Sequence, residues 1–353
     1  MTTRQSYATG QPQVAVSTHT EWQPLREVVL GIADGAQVPR VKDESLHAVD
    51  YGAMPDEDFA SVRVGPYPQR IIEETREDLE LIAEQLQALD IRVHRPAAAD
   101  FSEVRQVGRW QVDGYAAYCP RDTVLTIGEH AIETPMALRH RQDEARVLRH
   151  IVRTVRAPVP RLLDGIYDRS KLGVPTLRND EPVFDAANCL KCGRDVLFLI
   201  ANTGNQAGAD WLQSFLGPQY RVHPLRGIYQ FVHVDSTIVP LRPGLVLFNP
   251  ERVNDGNVPE FFRGWDKIYA PEPVSIPCDP EWGPASKWIA LNLLSLSPDL
   301  VVVEKSQVEL MRVLSKHGIE SLPVQLRHMR TMKGGPHCIT LDLIRDGALE
   351  DYS

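Results

Sequence analysis

A chain of 353 residues with 43% apolar and 24% charged residues can bury a large core, and no apolar run reaches the roughly 18 residues of a membrane-spanning helix. A formal charge of −9, with no block of Lys or Arg, leaves no basic footprint for nucleic acid. Five cysteines, an odd number in a chain that opens without a signal-peptide pattern, argue against a disulfide framework.

Residues 1–19 read as a polar, loosely ordered tail, because they lack the apolar centre of a secretory leader. A cytoplasmic enzyme is therefore expected. No linker divides the remainder, so 20–353 is expected to form a single domain. Its first short apolar run, 28–32, reads as a buried strand, and Ile71, Thr75, Leu79, Ile82, Leu86 and Leu89 then step by four and three along one helix face. A second strand-like phrase follows at 91–94. The same order recurs with 124–128 and 157–160, with 196–200 and 220–223, and with 245–249 and 267–270. It recurs again with 300–303 and 319–326. Between these last two, Ser306 and Glu309 have capping-box spacing, and Gly318 stands where a helix C-terminal cap belongs. Strand, helix, strand five times over points to a ring of α/β modules about an axis, with a doubly wound α/β domain as the alternative.

Three segments carry candidate chemistry. Asp185 stands among small and apolar residues in Phe184-Asp185-Ala186-Ala187-Asn188, as a buried acid or as a turn or helix-cap residue. His233 and Asp235, read as part of a strand over 231–237, would project from one face as a proton shuttle with a nearby acid. Cys338 follows two glycines in Gly334-Gly335-Pro336-His337-Cys338 and opens an alternating strand. It is a nucleophile if a cation or His lowers its pKa, and a buried structural thiol otherwise. Cys189 and Cys192 form a CxxC without a second pair, so they are expected to be buried thiols rather than metal ligands.

Taken together, these segments resemble the arginine-dependent amidinotransferase family, which includes the glycine and inosamine-phosphate amidinotransferases. The resemblance runs from His19-Thr20-Glu21-Trp22 to Gly347-Ala348-Leu349-Glu350. It rests on Tyr118-Cys119-Pro120-Arg121-Asp122, Ile132-Glu133-Thr134-Pro135-Met136-Ala137, 184–188 and His233-Val234-Asp235. It continues through Asn249-Pro250-Glu251-Arg252, Ser286-Lys287-Trp288 and 334–338, and 233–249 looks most like the inosamine-phosphate branch.

The resemblance implies a five-module, pseudo-fivefold α/β propeller that works without cofactor or metal and tends to dimerise. It implies that Cys338 attacks the guanidinium carbon of L-arginine, that His233 shuttles the proton and that Asp185 orients His233. Asp122 and Asp235 match the guanidinium clamp, a pairing of planar N–H donors with carboxylates. Arg252 and Ser286 match positions that hold the α-carboxylate, and Gln230 and Val232 belong to the acceptor loop. The acceptor would be a small amine, an inosamine phosphate or another biosynthetic amine such as lysine, and L-ornithine would leave. The alternatives are a guanidine hydrolase of the same fold, similar to arginine deiminase, and a non-catalytic interaction platform. Two positions depart from the family pattern: Pro336 replaces an aromatic residue, and Lys333 replaces a small one. The stretch 226–232 also differs from the glycine enzyme, which makes glycine a poor expectation as acceptor.

Overall fold

Strands rich in Val, Leu and Phe are stable only where both faces are covered, and the protein builds five three-stranded sheets on that basis. The computed structural model describes residues 13–52, 54–158, 167–168 and 176–353. The central strands are Leu25–Leu30, His130–Glu133, Asp195–Leu199, Leu245–Phe248 and Leu300–Glu304. Each pairs antiparallel with one neighbour and parallel with the other. The antiparallel partners are Thr340–Arg345, Val124–Ile127, Cys189–Cys192, Ile238–Arg242 and Leu294–Ser297. The parallel partners are Arg92–His94, Val155–Arg156, Arg221–Leu225, Asp266–Tyr269 and Glu320–Val324. In the first sheet the antiparallel partner comes from the far end of the chain, with Val28 opposite Asp342 and Leu30 opposite Thr340.

Among the described residues five α-helices accompany the sheets: α1 (Glu44–Asp50), α2 (Asp56–Ser61), α3 (Gln69–Gln87), α4 (Gln206–Leu216) and α5 (Val308–Lys316). Asp43 caps α1 by accepting from the Leu46 N–H at 2.9 Å, which fixes the run that ends at Asp50. The expected stripe of α3 buries Ile71, Thr75, Leu79, Ile82 and Leu86, while Leu89 lies beyond the helix and is exposed. Ala209 and Leu212 of α4 cover Val196 and Phe198, and Leu310 and Leu314 of α5 cover Val301 and Val303. None of the described helices is long and apolar enough to cross a membrane.

Several expectations need correction. The run 124–128 forms an edge strand, and the centre of that sheet is His130–Glu133. Both strands of the hairpin are largely buried, so apolarity alone did not single out the central one. The parallel strand expected at 157–160 is Val155–Arg156; residues 159–160 lie outside the described residues. The Ser306–Glu309 capping box does not form, because the Ser306 N–H and hydroxyl both turn back to the Glu304 carboxylate and Gln307 takes the N-cap place. Gly318, at φ 71°, does follow the end of α5. Of the expected tail, residues 1–12 lie outside the described residues. From Val14 onward the chain makes isolated β-bridges to the body, Val14 beside Val152, Ser17 beside Ile344 and Thr18 beside Gly128. Cys189 and Cys192 are buried in their strand, where burial raises both thiol pKa values.

Candidate active site

Loops at the strand ends enclose an inner cavity of about 160 Å³. It adjoins an outer cavity of about 540 Å³ whose wall it shares at Asp50, Val232 and Ser236. Cys338 lies in the turn ahead of Thr340–Arg345 rather than in the strand itself. Its N–H donates to Asn292 Oδ1 at 2.9 Å, and the residue is 2% exposed. The preceding glycines allow close approach. A methyl group on Gly334 would meet Cys119 Sγ at 2.4 Å, and one on Gly335 would meet Asn292 Cβ at 2.8 Å.

The segment 231–237 is a turn, not a strand, and His233 has φ 48°. The left-handed residue, not a two-residue period, carries His233 and Asp235 to the same cavity. His233 Nε2 lies 3.1 Å from Asp185 Oδ2, and the Cys338 thiol is among the groups that raise the pKa of the ring. Asp185 precedes the short 3₁₀ turn Ala186–Asn188 without capping it through its side chain, and its other oxygen accepts from the Ala137 N–H at 3.2 Å. Burial opposes charging of His233, but the Asp122 and Asp185 carboxylates raise its pKa well above the usual value. Burial raises the Asp185 carboxyl against the pull of His233. The Cys338 pKa is also well above that of an ordinary thiol, because the Cys119 thiol bonds it and burial and two nearby carboxylates disfavour a thiolate.

Asp122 and Asp235 line the same cavity as Cys338. Asp122 Oδ2 takes a 2.6 Å ion pair from Arg141, which Glu144 grips on its other edge. Asp122 Oδ1 is buried, 3.7 Å from His233 Nδ1, and has no hydrogen-bond partner among the described residues. Asp235 Oδ2 accepts from His337 Nδ1 at 2.9 Å and from the Cys338 thiol at 3.4 Å. His337 Nε2 in turn lies 3.2 Å from Glu21 Oε2. Burial opposes ionisation of Asp235, yet the His337 hydrogen bond and the nearby imidazoles hold its carboxyl at about 2.

The outer cavity holds Arg252 and Ser286. Arg252 lies 3.6 Å from the Tyr229 ring centroid and donates to Ser236 Oγ and Thr237 Oγ1. No ion pair to a carboxylate forms at it among the described residues. Ser286 is exposed and caps the 3₁₀ turn Lys287–Leu291. Val232 lines both cavities, but Gln230 lines neither; its carbonyl accepts from Asn202 N–H, and Tyr229 and Phe231 face the outer cavity instead.

Five participants went unassigned from sequence: Glu21, Cys119, Arg141, Asn292 and His337. Glu21, Cys119 and His337 stood inside motifs already singled out, so adjacency to Cys338 was a usable signal for His337. Arg141, in an Arg-His-Arg run, reads as a surface charge until its ion pairs are visible.

No protein-family model matches the chain. It is 48% identical to an inosamine-phosphate amidinotransferase of Streptomyces glaucescens over 345 residues, covering 96% of this chain and 99% of the relative. It is 33% identical to an L-arginine:L-lysine amidinotransferase of Pseudomonas savastanoi pv. phaseolicola, with 96% of each chain covered. The solved inosamine-phosphate amidinotransferase of Streptomyces griseus superposes with a TM-score of 0.90 at 48% identity, over 96% of this chain and 99% of that one.

Proposed function

The chain belongs to the amidinotransferase family and is a transferase of that kind, and from this premise we propose that it moves the amidino group of L-arginine to an amine through a covalent adduct on Cys338. The observation that carries the reading is Asp122 Oδ1, a buried carboxylate oxygen without a partner beside Cys338, His233 and Asp235. A planar guanidinium satisfies it, donating to Asp122 on one edge and to Asp235 on the other. The α-carboxylate then extends toward Arg252 and Ser286.

In the empty cavity Cys338 is a thiol. The arriving guanidinium adds a positive charge next to Sγ, which lowers the thiol pKa, and Cys338 gives its proton to solvent to become the thiolate. The thiolate forms a bond to the guanidinium carbon, and the tetrahedral intermediate collapses by breaking the bond to the ornithine nitrogen. His233, kept charged by Asp122 and Asp185, gives that nitrogen its proton. The neutral imidazole then takes a proton from the incoming amine, which attacks the same carbon and expels Cys338. Asp185 acts by holding the ring. An inosamine phosphate is the favoured acceptor, because the relative at 48% identity is described as acting on that class.

The five sheets fit a pseudo-fivefold propeller. Supporting it, Thr340–Arg345 of the first sheet touches Val124–Ile127 of the second, and Leu25–Leu30 touches Leu294–Ser297 of the fifth.

Arginine alone should release one equivalent of ornithine and leave Cys338 heavier by an amidino group in the mass spectrum. Full ornithine release by Cys338→Ala would sink the mechanism, and citrulline formation without an amine would assign a hydrolase instead.

A further inference from the structure

Four described residues other than glycine have positive φ. Three of them line the inner cavity: Tyr115 at 68°, His233 at 48° and Lys333 at 61°. Such conformations are costly without glycine and cluster where the surroundings enforce them for function. His233 has a part in the proposed chemistry. Tyr115 and Lys333 have none, yet they come from distant loops and meet on one atom. Lys333 Nζ donates to Asp50 Oδ2 at 2.7 Å, and the Tyr115 hydroxyl donates to the same oxygen. Asp50 Oδ1 accepts no hydrogen bond among the described residues. The ammonium lies 4.6 Å from the Tyr51 ring centroid and keeps N–H donors to spare. Asp50, last residue of α1, lines both cavities, so the cluster stands where a molecule in the outer cavity extends toward Cys338.

From this geometry we infer that Asp50, Lys333 and Tyr115 form an acceptor subsite for a polyhydroxylated amine. A ring hydroxyl donates to Asp50 Oδ1, and a neighbouring hydroxyl or phosphate oxygen accepts from Lys333. The inference rests on the amidino-transfer reading and names the acceptor class. The aliphatic chain of arginine, held at its two ends by Asp122, Asp235 and Arg252, offers these groups no counterpart. A simple aliphatic amine offers none either. A paired carboxylate and ammonium provides adjacent acceptor and donor sites, which is what vicinal oxygens need. Tyr115 is a positioning residue: it orients the carboxylate so that Oδ1 faces the cavity.

The test separates the two half-reactions. With an inosamine phosphate as acceptor, Lys333→Met and Asp50→Asn should each raise the acceptor KM about tenfold or more, as expected for loss of a charged hydrogen bond. Preference over n-butylamine, which has only its amine, should fall by the same factor, while the ornithine burst from arginine alone keeps its amplitude. Lys333→Gly removes the ammonium at a φ that glycine favours, so it distinguishes loss of the contact from misfolding. An equal loss with both acceptors, or a raised KM for arginine, would overturn the inference and leave the pair as a staple between α1 and the nucleophile loop. Wild-type transfer to n-butylamine as efficient as to the inosamine phosphate would also overturn it. If the unsubstituted protein gives no burst at all, amidino transfer itself fails, and the subsite with it.

Discussion

His337 Nδ1 lies 2.9 Å from Asp235 Oδ2, the same oxygen that the Cys338 thiol reaches at 3.4 Å. The residue next to Cys338 thus holds one arm of the proposed guanidinium clamp, and Glu21 Oε2 lies 3.2 Å from that residue's other ring nitrogen. Asp235 is buried, and an unpaired buried carboxylate shifts its pKa upward. His337 supplies the largest opposing influence, with His233 and Asn292 contributing, and the carboxyl settles at about 2. Because that pKa is depressed, the charge is present at ordinary pH and is lost only as pH falls through about 2. Replacing His337 with Ala lets burial dominate and moves that loss upward. The KM for arginine in His337→Ala should climb as the pH is lowered from about 7 to 5, by roughly tenfold per unit of displaced pKa. The unsubstituted enzyme should show no such limb from Asp235. Identical pH profiles for the two proteins would refute the role.

Asp122→Asn keeps the shape of the clamp and removes its charge. The Arg141 guanidinium retains Glu144 at 2.6 Å, so the local fold should survive. A buried charged contact is typically worth about 2–5 kcal/mol when one partner is removed, so kcat/KM for arginine should fall by roughly 30-fold or more. Steady-state ornithine release measures it, and a loss below about threefold would mean that Asp122 does not grip the guanidinium.

Cys119 is the leading cause of the raised Cys338 pKa. Its removal in Cys119→Ala should lower the Cys338 pKa and enlarge the thiolate fraction near neutral pH. A raised thiol pKa means less thiolate at neutral pH, so lowering it speeds alkylation. Iodoacetamide should modify Cys338 several-fold faster in the variant without arginine, as read by peptide mass mapping. An unchanged or slower rate would count against the thiol–thiol contact.

Gly334→Ala would place a methyl group 2.4 Å from Cys119 Sγ and 2.9 Å from the Tyr118 ring. Tyr118 is itself fixed, its hydroxyl donating to the Gly334 carbonyl at 3.1 Å. Overpacking of this kind costs about 1–3 kcal/mol. A lowered urea midpoint is expected, together with a larger loss of activity than of stability, because the turn carries the nucleophile. A variant of wild-type stability and activity would show that the turn has room to move.

Local pattern made much of the fold legible. Central strands 28–32, 196–200, 245–249 and 300–303 are apolar on both faces, and α3 shows its stripe, because burial imposes those periods on the residues themselves. The failures came where local pattern is silent. Both strands of the 124–133 hairpin are largely buried, so apolarity did not identify the central one. The Glu304 carboxylate captured Ser306, and a left-handed His233 replaced the expected strand.

What the sequence alone determined is the family, through its resemblance, and with it the kind of enzyme; it also named five candidate residues that the fold brings together. Cys338, His233, Asp185, Asp122 and Asp235 all line the inner cavity. Only the tertiary structure could decide which carboxylate each cation and imidazole serves. Those pairings join residues far apart in the chain, Glu21 to His337 across 316 positions and Asp50 to Lys333 across 283. A hydrogen bond at that separation leaves no periodicity to read. It exists because the closing of the first sheet by the last strand brings both ends of the chain to one cavity.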